Sequence, residues 1–473
     1  MRRDSRHSRR IARWLAPLLT LVLVVAAAAT AYELGYVDEW LDTSPVTAPA
    51  EPTPEPWESP VPTPAAVAGA AATTTPDPAK VRAALSGPLG DDDLGPHVVA
   101  EIAPLTGGDP VFVQGRGAAV PASTTKLLTS LAALDVLGPE ATFTTKVVRP
   151  GPGRIVLVGG GDPLLGSKPG KDDYPARADL RTLAAGTAAA LRKAGVTRVR
   201  VGFDDSLFSG PTTSPHWPAN YVPDDVVAPI TALWADQGND AAGRRESDPS
   251  QAAAAIFADR LRAEGITVRG NVRRTHGAGG TLAQAESAPL REIVQHTLET
   301  SDNDAAEVLA HHVGERLSGS GSFDGGVAGT LATLTKLHVP TDGLRLYDGS
   351  GLSREDRIAP ATLTGVLRVA AQRPELAAVL GGLPVAGFTG SLVTRFEDAA
   401  STPGLGMVRA KTGTLTGVHS LAGTVTDRDG DVMTFVLMTD KVSLPNTLGA
   451  RQALDDAAAA LAGCHCASSA PGT

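Results

Sequence analysis

Ser123 and Lys126 are three residues apart in the string Ser123-Thr124-Thr125-Lys126, at the predicted start of a helix. On a helix this spacing places both side chains on one face, within reach of each other. A serine hydroxyl is a weak nucleophile until a neighbouring base removes its proton, and a desolvated, neutral lysine can act as that base. The start of a helix also supplies positive potential and free N–H groups that suit an oxyanion. The pair therefore predicts covalent catalysis by a serine.

Two further strings follow along the chain, and both contain residues that can bind a substrate or transfer a proton. The first is Ser301-Asp302-Asn303, which we expect to lie in a break between two helices. There the Ser301 hydroxyl can face a cleft and relay a proton, and the Asn303 amide offers both a donor and an acceptor. The second is Lys411-Thr412-Gly413, in which the glycine allows backbone to approach a ligand closely. Each string is weak alone, but the chance of all three together is roughly one in a hundred.

Helical and strand patterns predict the elements that hold these residues. Leu127, Leu131 and Leu134 have helical spacing, so a helix should begin close to Ser123. The acidic turn 427–431 separates two apolar segments, which predicts a hairpin after the third string. Elsewhere the sequence predicts helices over 79–85, 180–194, 251–264, 290–298, 305–317 and 448–461, a strand over 154–158, and a hairpin of 98–103 with 110–114.

The composition limits the function classes. The chain has 473 residues, enough for about three domains, and 42% of them are hydrophobic, so it can bury a substantial core. A net charge of -9 gives no support to nucleic-acid binding, which needs a clustered basic surface. The two cysteines, Cys464 and Cys466, exclude a disulfide scaffold and a cysteine-rich zinc module. His311 and His312 lack a metal-binding pattern and are expected to be exposed or partly buried, so neither metal nor cofactor is predicted.

The N-terminal part of the chain has the pattern of a targeting segment. Residues 1–13 are rich in arginine and precede an apolar run over 14–32. This combination is typical of a signal peptide or of a membrane anchor, and the sequence leaves cleavage and retention both open. Residues 43–78 are rich in Pro, Thr and Ala, which predicts an extended linker. We therefore expect the rest of the chain to act outside the cytoplasm, either secreted to the cell wall or anchored in the membrane by an uncleaved segment.

The three strings, in this order, resemble the S-x-x-K, S-x-N and K-T-G motifs of the serine penicillin-recognising enzymes. Over about 78–463 the chain is similar to bacterial low-molecular-mass penicillin-binding proteins of the large-insertion class, which are D-alanyl-D-alanine carboxypeptidases/endopeptidases. Strings at 158–163, 348–354 and 387–392 add to the likeness. The resemblance implies an α/β fold. A penicillin-binding-protein transpeptidase-like (β-lactamase-like) domain would be formed by 79–145 and 285–473, with mostly β inserted material over 146–284.

The resemblance also implies a role for each motif residue. Ser123 would be the nucleophile, Lys126 the general base, and Ser301 the proton shuttle to the leaving D-alanine. Asn303 would contact the peptide amide, and the backbone N–H groups of Ser123 and Thr414 would form the oxyanion hole. Lys411, Thr412 and Thr414 would bind the terminal carboxylate, and Gly413 would belong to the same substrate-binding string.

Such an enzyme would act on peptidoglycan stem peptides through an acyl-enzyme and would be inhibited covalently by β-lactams. A β-lactamase is the second enzymatic interpretation, but the separation of Ser123 from Ser301 is far longer than a β-lactamase uses. A third interpretation is a non-catalytic cell-wall-binding module with a relic site, against which the intact motifs argue. Asp356 stands where the family pattern has asparagine. Because all three motifs lie outside the insertion, we expect the insertion to govern action on polymeric cell wall more than acylation.

Overall fold

The computed structural model describes residues 75–170 and 174–468. The predicted basic segment, the apolar run over 14–32 and nearly all of the predicted linker therefore lie outside the described residues. The described residues belong to one compact unit. No helix within them has the length and the apolar character that crossing a membrane requires.

Helices and strands follow one another irregularly along the described chain. The helices are α1 (Pro78–Leu85), α2 (Lys126–Leu137), α3 (Leu180–Lys193), α4 (Pro249–Ala263), α5 (Leu290–Glu299), α6 (Asn303–Ser318), α7 (Phe323–Lys336), α8 (Pro360–Gln372), α9 (Ala378–Gly381) and α10 (Thr447–Gly463). The strands are β1 (Val98–Pro104), β2 (Phe112–Gln114), β3 (Thr144–Gly151), β4 (Arg154–Val158), β5 (Arg198–Asp204), β6 (Thr267–Val268), β7 (Arg273–Arg274), β8 (Gly280–Glu286), β9 (Val408–Leu415), β10 (Val418–Thr426) and β11 (Val432–Thr439).

The first sheet has the strand order β2-β1-β11-β10-β9, and all of its neighbouring pairs are antiparallel. Helices cover both of its faces, so side chains pointing either way are buried. On β11, Val436 and Met438 join a core with α2 and α8, whereas Phe435 and Leu437 join a core with α1 and α10. This alternation follows from the two-residue period of a strand. Strand β9, which carries the third motif, is the last in this order and therefore lies at the edge of the sheet.

Helix α2 is held in the centre of the helical layer. Its Leu127, Leu131 and Leu134 are buried in one core with residues of α5, α6 and α8. Burial of each leucine side chain stabilises the fold by about 2 kcal/mol. Lys126 is the first residue of this helix, so the same packing fixes the position of the lysine that the sequence singles out.

The inserted region forms a second sheet with the order β6-β5-β4-β3-β8, and β7 also pairs with β5. The sheet is mixed, because β3 runs antiparallel to β4 and β8 whereas β4, β6 and β7 run parallel to β5. Helices α3 and α4 pack on one face, where Val199, Val201 and Phe203 of β5 are buried. Arg198 and Arg200 alternate with these residues and point to the opposite face.

Most predicted elements are confirmed, with small shifts at their ends. The helix predicted over 305–317 begins at Asn303, because the Asp302 carboxylate accepts a hydrogen bond from the N–H of Ala305 and caps the helix. The helix predicted from Ser123 is a 3-10 turn that leads into α2. The sequence analysis predicts neither helices α7, α8 and α9 nor strand β9. At the C-terminal end, the two cysteines form a disulfide across one intervening residue.

Candidate active site

The Ser123 side chain lies just before α2, beside the lysine three residues further on. The 3-10 turn Ala122–Thr125 leads into the helix, and the Nζ atom of Lys126 lies 2.9 Å from Oγ of Ser123. Lys126 is fully buried, whereas Ser123 is partly exposed. The structure therefore places a hydroxyl that a substrate can reach against an amine that is shielded from water.

Three oxygen atoms surround the Nζ atom of Lys126. Besides Ser123 Oγ, they are Oδ1 of Asn303 at 2.7 Å and the carbonyl oxygen of Ser350 at 2.8 Å. These two oxygens can only accept hydrogen bonds, so they use two N–H groups of a neutral amine. The lone pair of that amine is then left to face the Ser123 hydroxyl, the one partner that can donate. Once Lys126 is protonated, the same three oxygens accept all three of its N–H groups.

Burial lowers the pKa of Lys126 to about 8, because a fully buried ammonium loses its hydration. In their ionised forms, Asp348, Glu307, Asp302 and Asp304 act in the opposite direction and keep this pKa from falling further. At pH 7, a pKa near 8 leaves Lys126 neutral in about a tenth of the molecules. A general base needs such a neutral fraction near its working pH.

Ser301 lies in the break between α5 and α6, where the sequence analysis places it. Its φ of 61° is in the left-handed region, which is uncommon for a residue other than glycine. The side chain is partly exposed, and among the described residues its hydroxyl has no hydrogen-bond partner. The turn thus presents a hydroxyl that is available to a bound substrate.

Asn303 has both ends of its side-chain amide engaged within the protein. While Oδ1 accepts from Lys126, Nδ2 donates to the carbonyl oxygen of Val226 at 2.9 Å. Sequence reasoning assigned this amide to the substrate and did not anticipate either contact. The geometry gives Asn303 a part in orienting Lys126.

Val226 belongs to the inserted region, and further residues of that region contact the start of α6. The Asp304 carboxylate accepts from the N–H of Ala228 at 2.7 Å and lies 2.9 Å from the Arg245 guanidinium. Gln237 donates to Asp302 at 2.5 Å. We call residues 226–245 the buttress segment. The three motifs lie outside the insertion in sequence, but this segment packs directly against the second of them.

The third motif lies on β9, and its lysine is buried close to the first motif. Lys411 is fully buried, and its Nζ donates to the carbonyl oxygen of Thr412 at 3.0 Å. Burial, together with the charge of Lys126, holds the pKa of Lys411 well below its ordinary value. The Oγ1 atom of Thr412 is 2.7 Å from Oγ of Ser391, which belongs to the string at 387–392 that adds to the family likeness.

The outer edge of β9 presents backbone N–H groups. The N–H of Ala410 donates outward to the carbonyl oxygen of Pro384. Alternate residues of an antiparallel strand direct their N–H groups to the same side, so Thr412 and Thr414 direct theirs to this edge as well. Thr414 is also exposed. A ligand that lies along this edge can therefore accept hydrogen bonds from the strand.

Gly413 lets β9 lie against the turn that holds the nucleophile. A Cβ atom at this position would be 2.5 Å from the carbonyl oxygen of Pro121 and 2.1 Å from Oγ of Ser420. That serine, on β10, donates to the same carbonyl oxygen at 2.6 Å. The close approach that glycine allows here is thus between β9, β10 and the turn before Ser123.

The loop that supplies the Ser350 carbonyl is fixed by a buried carboxylate that sequence reasoning missed. Glu307 on α6 accepts hydrogen bonds from the N–H groups of Gly349 and Ser350 at 2.8–3.1 Å. Burial raises the pKa of Glu307 to about 8, and the charge of Asp348 contributes in the same direction. Glu307 lies one helical turn after Asn303, a spacing that could have indicated a shared face.

Asp356 is fully buried behind this loop. One of its carboxylate oxygens accepts from the N–H of Tyr347, and burial, with the charge of Asp348, raises its pKa well above the ordinary value. The protonated form of this side chain is therefore favoured, and a protonated carboxylic acid has nearly the shape and polarity of asparagine.

The expectation for the two histidines is wrong, because both are buried. His311 is 1% exposed and His312 is 8% exposed. His312 donates to the carbonyl oxygen of Gly161 and stacks on Phe143, so it joins α6 to the inserted region. Within residues 75–170 and 174–468, no group of three His, Cys, Asp or Glu side chains is placed to hold a metal ion.

Known proteins are similar to this chain over most of its length. The model of the D-Ala-D-Ala carboxypeptidase 3 (S13) family matches residues 81–242 and 239–461. The chain is 36% identical to carboxypeptidase DacB of Mycolicibacterium smegmatis over 98% of both chains. It is also 36% identical to a carboxypeptidase of Mycobacterium tuberculosis, over 83% of this chain and 86% of that relative.

The fold is similar to that of penicillin-binding protein 4 of Haemophilus influenzae. The TM-score is 0.64 at 22% identity, over 80% of this chain and 98% of the other. That protein has also been solved in complex with a β-lactam, and this second structure has a TM-score of 0.57 to the present one. A family model that spans all three motifs and a relative aligned almost end to end give one assignment: the chain belongs to the D-Ala-D-Ala carboxypeptidase 3 (S13) family.

Proposed function

We propose that this S13-family carboxypeptidase cleaves the bond between the two terminal D-alanines of peptidoglycan stem peptides through an acyl-enzyme on Ser123. The observation that carries this proposal is the 2.9 Å contact between Lys126 Nζ and Ser123 Oγ. The contact joins a reachable hydroxyl to a buried amine whose other two partners can only accept hydrogen bonds. This arrangement directs the lone pair of the amine at the proton that must be removed.

Acylation would proceed in two proton transfers. Neutral Lys126 takes the Ser123 hydroxyl proton while Oγ bonds to the carbonyl carbon of the penultimate D-alanine. The C–N bond then breaks, and the leaving nitrogen takes a proton from the Ser301 hydroxyl, which is replenished from protonated Lys126. Water attacks the resulting ester in the reverse sense, with Lys126 again as base, and releases the shortened peptide.

Substrate binding would use the edge of β9. The terminal carboxylate would be bound by Lys411, Thr412 and Thr414, an amino group and two hydroxyls on one strand. The backbone N–H groups of Ser123 and Thr414 would form the oxyanion hole, which is consistent with the outward direction of the Thr414 N–H. Asn303 would contact the peptide amide while it orients Lys126.

The same chemistry accounts for inhibition by β-lactams and for a second activity. The strained amide of a β-lactam would acylate Ser123, and the adduct would persist because its leaving group stays attached. A D-alanyl bond in a cross-link has the same acyl side, so endopeptidase action on cross-linked stems is part of the proposal.

The site acts outside the cytoplasm, where peptidoglycan is found. Residues 14–32, outside the described residues, would direct export or hold the protein at the membrane.

Labelling with fluorescent penicillin and release of D-alanine from a synthetic acyl-D-Ala-D-Ala peptide test the proposal together. Ser123→Ala should abolish both signals while the melting temperature stays unchanged. Ser86→Ala is the matched control, because this exposed serine caps α1 and should leave both signals intact. Labelling that survives in folded Ser123→Ala protein would place the nucleophile elsewhere, and rapid turnover of penicillin would favour a β-lactamase.

A further inference from the structure

The second sheet carries a basic cleft on the face that α3 and α4 leave open. Arg154 on β4 and Arg200 on β5 are register partners on adjacent parallel strands, so their side chains stand side by side. The segment that contains Arg269 and Arg273 borders the same space. Together these residues enclose a cavity of about 540 Å³, and none of its lining residues belongs to the three motifs.

The four arginines of the cleft have no anionic partner among the described residues. Each is exposed, and none forms an ion pair or a side-chain hydrogen bond within the described ranges. No Asp or Glu lines the cavity, whereas His276 and Asn271 do. The neighbouring Arg274 shows the contrast, because it is paired with both Asp205 and Asp248. A chain with a net charge of -9 thus concentrates unpaired positive charge at one place.

Like charges held close together repel one another, and an anionic ligand removes that repulsion. A guanidinium binds a carboxylate through two parallel hydrogen bonds, and four of them in one cleft can bind several carboxylates. Val156 on β4 points to the same face as Arg154, so the floor of the cleft between the arginines is apolar. This combination suits a peptide with carboxylates and small apolar side chains better than it suits a wholly polar polymer.

We propose that the cleft binds the carboxylates of peptidoglycan stem peptides other than the one being cleaved. This inference rests on the proposed function, because peptidoglycan supplies a polymer that repeats such peptides. Binding of one stem peptide in the cleft is weak alone. It raises the effective concentration of other stem peptides of the same polymer at the active site, so a polymer that occupies both sites at once gains avidity. A short synthetic peptide reaches only one site and gains nothing.

The test measures binding without catalysis, so that a failure of the proposed function does not affect it. Ser123→Ala protein is sedimented with purified sacculi, and the bound fraction is compared with that of Ser123→Ala protein that also carries Arg200→Glu and Arg273→Glu. The control carries Arg181→Glu and Lys193→Glu, which make the same charge change on α3, on the opposite side of the sheet. Melting temperatures verify that all three proteins are folded.

We expect the affinity for sacculi to fall at least tenfold in the cleft variant and to stay within twofold in the control. Amidation of the sacculus carboxylates should reproduce the loss, whereas hydrofluoric acid, which removes phosphodiester-linked polymers, should have no effect. Equal binding by the cleft variant and the control would overturn the proposal. Binding that survives amidation but is lost after acid treatment would also overturn it and would assign the cleft to a phosphate polymer.

Discussion

The side-chain amide of Asn303 donates a hydrogen bond of 2.9 Å to the carbonyl oxygen of Val226, while its oxygen accepts one from Lys126. A single uncharged side chain thus joins the proposed general base to the inserted region. Because the amide carries no charge, it orients Lys126 without stabilising the ammonium form as a carboxylate would. The buttress segment is therefore placed to affect the orientation of Lys126.

Replacing this amide by a carboxylate should shift the pH dependence of acylation. In Asn303→Asp, a charge next to Lys126 Nζ favours the ammonium, so the pKa of Lys126 rises from about 8. The acylation rate at pH 7 should fall at least tenfold, and the rise of that rate with pH should move upward by about one unit or more. Stopped-flow acylation by a chromogenic β-lactam between pH 6 and 10 measures both effects.

Asn446→Asp is the matched control, because its side chain makes no hydrogen bond to a described residue. It should retain the wild-type profile. If Asn303→Asp lowers the acylation rate without shifting its pH dependence, the variant has lost a substrate contact and the pKa of Lys126 has not changed.

The sequence was sufficient for the chemistry that depends on local spacing. Ser123 and Lys126 lie three residues apart, and a single helical turn brings them into contact wherever the helix packs. The acidic turn over 427–431 likewise specifies the hairpin of β10 and β11 through residues that are adjacent in the chain. The family resemblance added the expectation that the second and third motifs lie near Ser123, because local patterns alone could not place them there.

The features that were missed depend on contacts between distant segments. The Ser350 carbonyl is 224 positions from Lys126, and no local pattern links the two. The burial of His311 and His312 follows from packing on all sides of α6, which periodicity in one helix does not reveal. Helix α7 begins with Phe323-Asp324-Gly325-Gly326, and glycine disfavours helix by about 1 kcal/mol per residue, so tertiary packing overrides the local preference there.

Arg245 in the buttress segment should matter more for stability as the pH rises. Burial raises the pKa of Asp304 to about 7, so the stability that this group contributes is present at low pH and is lost as the pH rises through 7. Arg245→Ala removes the cation that opposes this rise and leaves a buried carboxylate unpaired at pH 8. We expect a loss of about 3 kcal/mol at pH 8 and a smaller loss at pH 5.

Urea unfolding at the two pH values measures this difference. Arg244→Ala serves as the control, because the neighbouring guanidinium is 80% exposed and pairs only with Asp240 on the surface. It should unfold like the wild type at both pH values. An Arg245→Ala protein with the same loss at pH 5 and pH 8 would show that the residue contributes packing and not charge.

Asp356→Asn should be tolerated at pH 7 and should stabilise the protein in alkali. The pKa of Asp356 is raised well above its ordinary value, so the folded state holds a proton that the unfolded chain releases. Stability from this group is therefore present in acid and is lost as the pH rises. An asparagine has no proton to lose, so the free energy of unfolding of the variant should increase relative to that of the wild type as the pH rises above the ordinary pKa of a carboxyl group.

Denaturant melts at pH 5, 7 and 9 compare the variant with the wild type. Asp342→Asn, at an exposed position on the same stretch of chain, should show no such trend. If the stability of Asp356→Asn relative to the wild type falls from pH 5 to pH 9, the pKa of Asp356 is not raised in the folded protein.

Lys126 itself gives the most direct test of the proposed mechanism. As a base it acts only when neutral, so acylation should rise with pH through an apparent pKa of about 8, falling about tenfold per pH unit below it. Lys126→Arg should be nearly inactive from pH 5 to 10, because a guanidinium keeps the charge but does not give up its proton in this range. Penicillin acylation rates of the two folded proteins across that range decide the matter. If Lys126 only held Ser123 and Asn303 together by its charge, the arginine variant would keep substantial activity, and near-normal acylation would remove Lys126 from the role of general base.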